Sequence, residues 1–260
     1  LGDVYKRQIL FKGGISREMG NLLNPGEIDA NSGFVNYICA LNSFKKHIIE
    51  ANSNHEIDIF IHCWHTELED ELKSLYHPKQ IITEPNSKYK PQILHKIAMS
   101  YSHRSSFSIM SMMLSMKKVC DMAIKHCDEN NFKYDLVLIY RLDLLLLKDM
   151  KFEDYDLSAI TCNNWSDKMG DFHFVMNYEN MLKFKNMYDN FSPSFQPIVH
   201  QYAKNYAKII GVKYEQDDIR AGYDQEVVRK AKIFIDFNAH TYEELEKYGI
   251  TEKEILSYKV

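Results

Sequence analysis

The sequence predicts an α/β fold, an open and mostly parallel sheet with helices on both faces. Three observations carry this prediction. A continuous apolar run from 134 to 147, bounded by charge, has the composition of a strand buried on both faces. From 108 to 127, Ile109, Met113, Met116, Cys120, Ala123, Ile124 and Cys127 fall on one helical face. Ahead of both, short apolar runs alternate with stretches of helical period.

Bulk properties narrow the function classes. At 260 residues the chain is long enough for one large domain with a sizeable core. Its formal net charge of −4 gives no global basic field, which speaks against nucleic-acid binding. Five cysteines, an odd number without a CxxC pair, point to a reducing compartment and away from a zinc ribbon. No apolar run reaches transmembrane length. The chain begins at Leu1 without a Met, and residues 1–8 resemble a translated sequencing adapter of metagenomic reading frames. They are set aside as a non-native segment, outside the fold.

Residues 8–11 read as the first strand, which runs into Lys12, Gly13, Gly14, Ile15, Ser16 and Arg17. A Gly pair beside Lys12 and Arg17 suits a phosphate cradle of backbone N–H groups and cations. It matches neither GxGxxG nor GxxxxGK[ST], and an ordinary turn is the alternative. Residues 18–32, rich in Asn, Gly and Pro, form a long loop able to lie over the site. Phe34, Ile38, Leu41, Phe44 and Ile48 then mark an amphipathic helix.

A second strand at 57–61 closes on His62, Cys63, Trp64 and His65. Two histidines three apart lack the further ligands a zinc site needs. Their place at a strand end instead puts His62 or Trp64 near a base or sugar ring, with plain packing of Trp64 as the alternative. A short acidic helix at 67–76 precedes a third strand at 80–83. In the long helix from 108, Ser108 and Ser111 are placed to meet a ligand, or to cap the helix start.

Arg141 and Asp143 interrupt the apolar run two residues apart, so on a strand they share a side. Charges there need pairing, a metal, or a cleft. The ends of central strands in open α/β sheets are where such sheets bind ligands; a buried pair that only holds the sheet edge is the other reading. Residues 157–162 and 171–176 read as two more strands, and Asp171 and His173 share a face of the second. Helices are expected at 178–189 and 197–210, and a last strand at 232–236. Asp224 and Glu226 are the last carboxylates before that strand, candidates for chemistry or for dipole stabilisation at a helix start. Two capping boxes, Thr241 to Glu244 and Thr251 to Glu254, predict short C-terminal helices.

Several of these pieces resemble the glycosyltransferase-like proteins of bacterial capsule and lipopolysaccharide loci, which are similar to nucleotide-sugar transferases of the GT-A fold. The resemblance rests on residues 57–64, on 107–112, on 134–137 leading to Arg141-x-Asp143, and on Asp171-Phe172-His173-Phe174. It implies a GT-A-like domain over 9–237 with a helical extension at 238–260. It also implies a divalent metal, Mn²⁺ or Mg²⁺, held by Asp143 against the donor diphosphate; the first Asp of the family's Asp-x-Asp is Arg141 here. Asp171 matches the Asp of the family's Asp-Gln-Phe motif, and Asp171, Asp224 and Glu226 become the candidate catalytic carboxylates. Lys12, Gly13, Gly14, Arg17, His62, Trp64, Ser108 and Arg141 become candidates for binding the nucleotide sugar.

The expected activity is transfer of a sugar from a nucleotide-sugar donor to a glycan or lipid-linked acceptor of a surface polysaccharide. The expected place is the cytoplasm, with peripheral association at the inner face of the membrane. Two rivals stand beside it. One is a non-catalytic GT-A-like scaffold of polysaccharide assembly, favoured by the missing first Asp. The other is a metal-dependent hydrolase using Asp143 and Asp171, disfavoured because Leu145 stands where a haloacid-type phosphatase carries its second Asp.

Overall fold

The structure is a computed structural model that describes residues 6–13, 37–98, 106–165, 168–191, 199–228, 233–235, 240–251 and 255–257. Its frame is a seven-stranded sheet built from β1 (Lys6–Lys12), β2 (Glu56–Cys63), β3 (Gln80–Thr83), β4 (Leu136–Arg141), β6 (Ile160–Trp165), β7 (Lys168–Met176) and β8 (Tyr214–Arg220), in the order β3-β2-β1-β4-β7-β6-β8. Every neighbouring pair is parallel except the two made by β7, which runs against β4 and β6. The expected open, mostly parallel sheet is therefore what forms.

Alternation along the central strands explains why both faces are covered. Ile9 and Phe11 of β1, with Leu136, Leu138 and Tyr140 of β4, pack on one face against Leu41 and Phe44 of α1 (Ile38–Phe44) and Leu72 of α2 (Glu69–Tyr76). Leu10, Val137 and Ile139 point the other way, into Met110, Met113, Met116 and Val119 of α4 (Ser106–Asn130). That second face is completed by α3 (Lys90–Ala98), α5 (Tyr178–Phe184) and α6 (Val199–Ile209), through residues such as Ile93, Phe184 and Tyr206. Each fully buried aliphatic or aromatic side chain contributes about 1.5–3 kcal/mol. The Met-rich face of α4 is core packing, with Met110, Met113 and Met116 all at zero exposure.

Topology sets the place of the site. From β1 the chain adds β2 and β3 on one side, then crosses back through α3 and α4 to place β4 on β1's other flank. The strand order reverses between β1 and β4, and the crevice at their carboxyl ends is where such sheets receive ligands. Lys12 and Arg141 are register partners there.

Four expectations need correction. The run from 134 to 147 is two strands. β4 ends at Arg141, a turn holds Leu142 and Asp143, and β5 (Leu144–Leu146) leaves the main sheet to pair antiparallel with β9 (Gln225–Val227). Leu144, Leu145 and Leu146 stay fully buried because this ribbon lies under α1, where Ser43 Oγ accepts the Leu146 N–H at 2.9 Å. Second, Lys6–Gln8 of the segment set aside belong to β1, between Glu56–Asp58 and, from Arg7, the start of β4; Gln8 is fully buried. Third, no helix starts at Asp224 and Glu226, since Asp224 closes a turn and Glu226 lies in β9.

Fourth, the C-terminal extension is only partly helical. Its first capping box is present at α7 (Tyr242–Glu246), with Thr241 Oγ1 accepting from Glu244 N–H and Glu244 Oε2 from Thr241 N–H. Where a second helix was expected, β11 (Ile255–Ser257) pairs in parallel with β10 (Ile233–Ile235). The extension is tied to the core through Tyr248, whose hydroxyl meets His47 Nε2 at 2.7 Å and Lys46 Nζ at 3.0 Å.

Candidate active site at the carboxyl ends of β1 and β4

Lys12 ends β1 with its side chain turned under the second face, 2% exposed. Its ammonium donates to the main-chain oxygen of Asp171 at 3.0 Å and lies 5.3 Å from the centre of the Phe174 ring. Burial pushes its pKa down to about 8, and the nearby Arg141 adds to that against the opposing pull of Asp171 and Asp143. Among the described residues that carbonyl is its hydrogen-bond partner, so two of its three N–H groups have no protein acceptor.

Arg141, at the end of β4, grips Asp143 with two parallel bonds, Nε to Oδ1 at 2.9 Å and Nη2 to Oδ2 at 3.0 Å. The arginine side chain is 21% exposed and the aspartate 1%. The sharp turn after β4 brings the two together, because it folds Asp143 back onto the residue two before it. A guanidinium has five N–H groups, and this clasp uses two of them.

Asp171 sits in β7, and Glu226 in β9 opposite Leu145; both are half-buried. Asp171 is anchored beside Lys12 through its main-chain oxygen, and the negative charges of Asp171 and Glu226 act on Arg141 after that of Asp143. Glu226 Oε1 also accepts the N–H of Val227 at 2.9 Å. Lys12, Arg141, Asp143 and the main chain of Asp171 thus meet from three strands and one turn, and the charge of Glu226 on β9 reaches Arg141.

Asp143 as a divalent-metal ligand does not fit this arrangement. Both of its carboxylate oxygens are taken by the guanidinium, whereas a hard cation wants several oxygens facing it. Among the described residues, no three His, Cys, Asp or Glu side chains come together to hold a metal ion.

The remaining candidates are distributed as follows. Gly13 adopts φ +95°, in the left-handed region that favours glycine. Its N–H donates inward to Ser115 Oγ at 2.6 Å and its carbonyl accepts from Trp64 N–H at 3.2 Å, so in this conformation that N–H is not offered to a phosphate. Gly14 and Arg17 lie outside the described residues. His62 is fully buried beneath α4, away from the crevice opening, and Trp64 is 8% exposed with its ring edge-on to His62 at 4.4 Å. Ser108 is exposed, two turns ahead of Ser115 on α4. Asp224 Oδ2 accepts from the main-chain N–H and Nε of Arg220, at 2.9 and 3.1 Å, which turns it toward its own loop.

Two features escaped the sequence reading. One is a relay behind Gly13: Ser115 Oγ meets His62 Nδ1 at 2.7 Å, and His62 Nε2 meets Glu84 Oε1 at 3.1 Å. Because ionised Glu84 can only accept, Nε2 carries the proton of the neutral ring, and Nδ1 accepts from the Ser115 hydroxyl. Burial pushes His62 down to about 4 despite Glu84. Burial also works against ionised Glu84, but hydrogen bonds from Lys118, Tyr89, Lys88 and His62 outweigh it and hold its carboxyl well below the usual range. The signal in the sequence was a single serine on the apolar face of the long helix. The other is the pair of partners of His173, itself a named residue of the strand face: fully buried, it has Nε2 2.7 Å from Asp217 Oδ2 and Nδ1 3.2 Å from Gln225 Oε1. It locks β7 to β8 and β9.

No family model matches the chain, and no curated protein matches it. Solved structures similar to it include the following two. One is a crystal structure from Desulfovibrio desulfuricans G20 assigned as a nucleotide-diphospho-sugar transferase, with TM-score 0.40, 10% sequence identity, and coverage of 82% of this chain and 79% of the other. The other is mouse xyloside xylosyltransferase 1 in its apo form, with TM-score 0.41, 7% identity, and coverage of 84% and 87%.

Proposed function

We propose that the chain is a glycosyltransferase that takes a sugar from a nucleotide-sugar donor bound in the crevice between β1 and β4. The observation that carries this reading is the convergence of Lys12 and Arg141, two largely buried cations with unused donors, at the point where the strand order reverses. Such donors suit a diphosphate, whose negative charge grows as the glycosidic bond breaks. In the transfer, an acceptor hydroxyl oxygen bonds to the anomeric carbon. The bond from that carbon to the diphosphate oxygen breaks, and its electron pair leaves with the nucleoside diphosphate. The acceptor's proton passes to a carboxylate, for which Asp171 and Glu226 are the candidates beside Arg141. Asp224, held by Arg220, is set aside for this role.

The resemblance to capsule and lipopolysaccharide-locus proteins supports a surface glycan or its lipid-linked precursor as acceptor, at the cytoplasmic side of the membrane. Among the described residues no helix is long and apolar enough to cross a membrane, which is compatible with peripheral attachment. The scaffold reading keeps one observation in its favour, the closed Arg141–Asp143 clasp. Incubation with UDP-, GDP-, CDP- and dTDP-sugars separates the two. A transferase releases one nucleoside diphosphate, slowly to water and faster with glycan acceptor, and substituting Asp171 or Glu226 by the amide lowers that release at least tenfold. No release from any donor with any acceptor supports the scaffold.

A further inference from the structure

We infer that this site binds the donor diphosphate without a divalent cation, through Lys12 and Arg141, with Asp143 acting as the positioning residue for the guanidinium. The inference rests on the reading of the crevice as a nucleotide-sugar site. Three observations argue for it. The carboxylate after β4 is neutralised by Arg141, which donates to both of its oxygens, and it is 1% exposed, so a metal there would share a single buried carboxylate with a guanidinium's positive charge. The same clasp orients the guanidinium and leaves three N–H groups with no acceptor among the described residues. Beside it, Lys12 is an ammonium buried to 2% exposure whose hydrogen-bond partner among the described residues is a neutral carbonyl.

A buried cation without a bonded carboxylate is costly to a fold, and burial is what pushes Lys12 toward about 8. A diphosphate resolves that cost, because it brings acceptors and negative charge to both cations at once. The neighbours fix the geometry from behind. Lys12 is held by the Asp171 carbonyl and the Phe174 ring, and the chain turns away from it at Gly13, anchored to Ser115. Arg141 in this chain then supplies directly the positive charge that the family's Asp-x-Asp supplies through a metal. The site's cations are part of the polypeptide, so donor affinity does not follow divalent-ion supply.

Titration calorimetry with UDP, GDP, CDP, ADP and dTDP tests this, each run in EDTA and again with Mn²⁺. One nucleoside diphosphate is expected to bind in EDTA, and Mn²⁺ is expected to change its affinity by less than threefold. Lys12→Met and Arg141→Gln should each weaken that binding at least tenfold while leaving affinity for the matching nucleoside unchanged. Arg141→Gln strands Asp143 and risks unfolding, so Arg141→Lys serves as its folded counterpart, keeping the charge but losing the bidentate clasp, with an intermediate loss. Binding that appears only with Mn²⁺ overturns the inference and leaves the transferase reading intact. Failure of every nucleoside diphosphate under both conditions overturns both.

Discussion

Lys12 shows how a residue can work against the fold that carries it. In the unfolded chain its ammonium titrates near 10.5, and in the fold near 8. Between those values the unfolded chain holds a proton that the native state has given up, so this group makes stability rise with pH through that window. Below about 8 its full cost stands, on the order of 3 kcal/mol. A hydrophobic residue of similar length would remove that cost, so Lys12→Met should fold at least as stably as the wild type. Asp143 stands in the opposite position. Asp143→Asn removes the charge opposite a largely buried guanidinium, and should destabilise the metal-free protein by about 3 kcal/mol. For a chain of this size the melting temperature then falls by roughly 6–12 °C. Mn²⁺ should leave both proteins' melting temperatures unchanged in differential scanning calorimetry. A higher melting temperature in the variant, or a metal effect lost with the carboxylate, would restore Asp143 as a metal ligand.

At the level of elements, the pieces that report on burial were legible and those set by pairing partners were not. The third strand at 80–83 and the long Met-rich helix follow from apolar period alone, and both are present. The break of the central run at Leu142 and Asp143 was not legible, because leucines on either side are equally buried whether the chain continues straight or turns into a ribbon. β8, with Asp217 and Asp218 in its middle, lacks an apolar pattern because it is an edge strand. β9 is three residues long, and its carboxylates read as a helix start. The Arg141–Asp143 pair was visible as a charge inside an apolar run; that the two grip each other is a property of the turn.

The relay behind Gly13 also belongs to this scale, since it ties α4 to β1, to β2 and, through Glu84, to the end of β3. His62 is depressed from 6.5 to about 4, so its stabilising neutral form is full above 6.5 and is lost as pH falls toward 4. That loss amounts to about 3 kcal/mol over the window, with Glu84's protonation adding to it only below about 4.5. Melting temperatures recorded from pH 7 to 4 should fall steeply in the wild type, and His62→Gln should flatten the slope. Equal slopes in the two proteins would mean that His62 titrates elsewhere.

For the whole molecule, the order β3-β2-β1-β4-β7-β6-β8 does what no single motif does. It sets Lys12 and Arg141 side by side from positions more than a hundred residues apart and brings Asp171 of β7 to Lys12, while Glu226 is presented from the separate β5/β9 ribbon. The sheet's sense was readable from buried strands alternating with helices; the convergence of these residues depends on strand order, which no local pattern encodes. Metal-free diphosphate binding by Lys12 and Arg141 would be seen in a crystal structure with the nucleoside diphosphate that binds in solution, grown in EDTA. Diphosphate oxygens should lie within about 3.2 Å of both Lys12 Nζ and an Arg141 Nη atom, with the Arg141–Asp143 clasp intact. A diphosphate bound away from the β1/β4 crevice, or one that opens the clasp and leaves Arg141 behind, would contradict it.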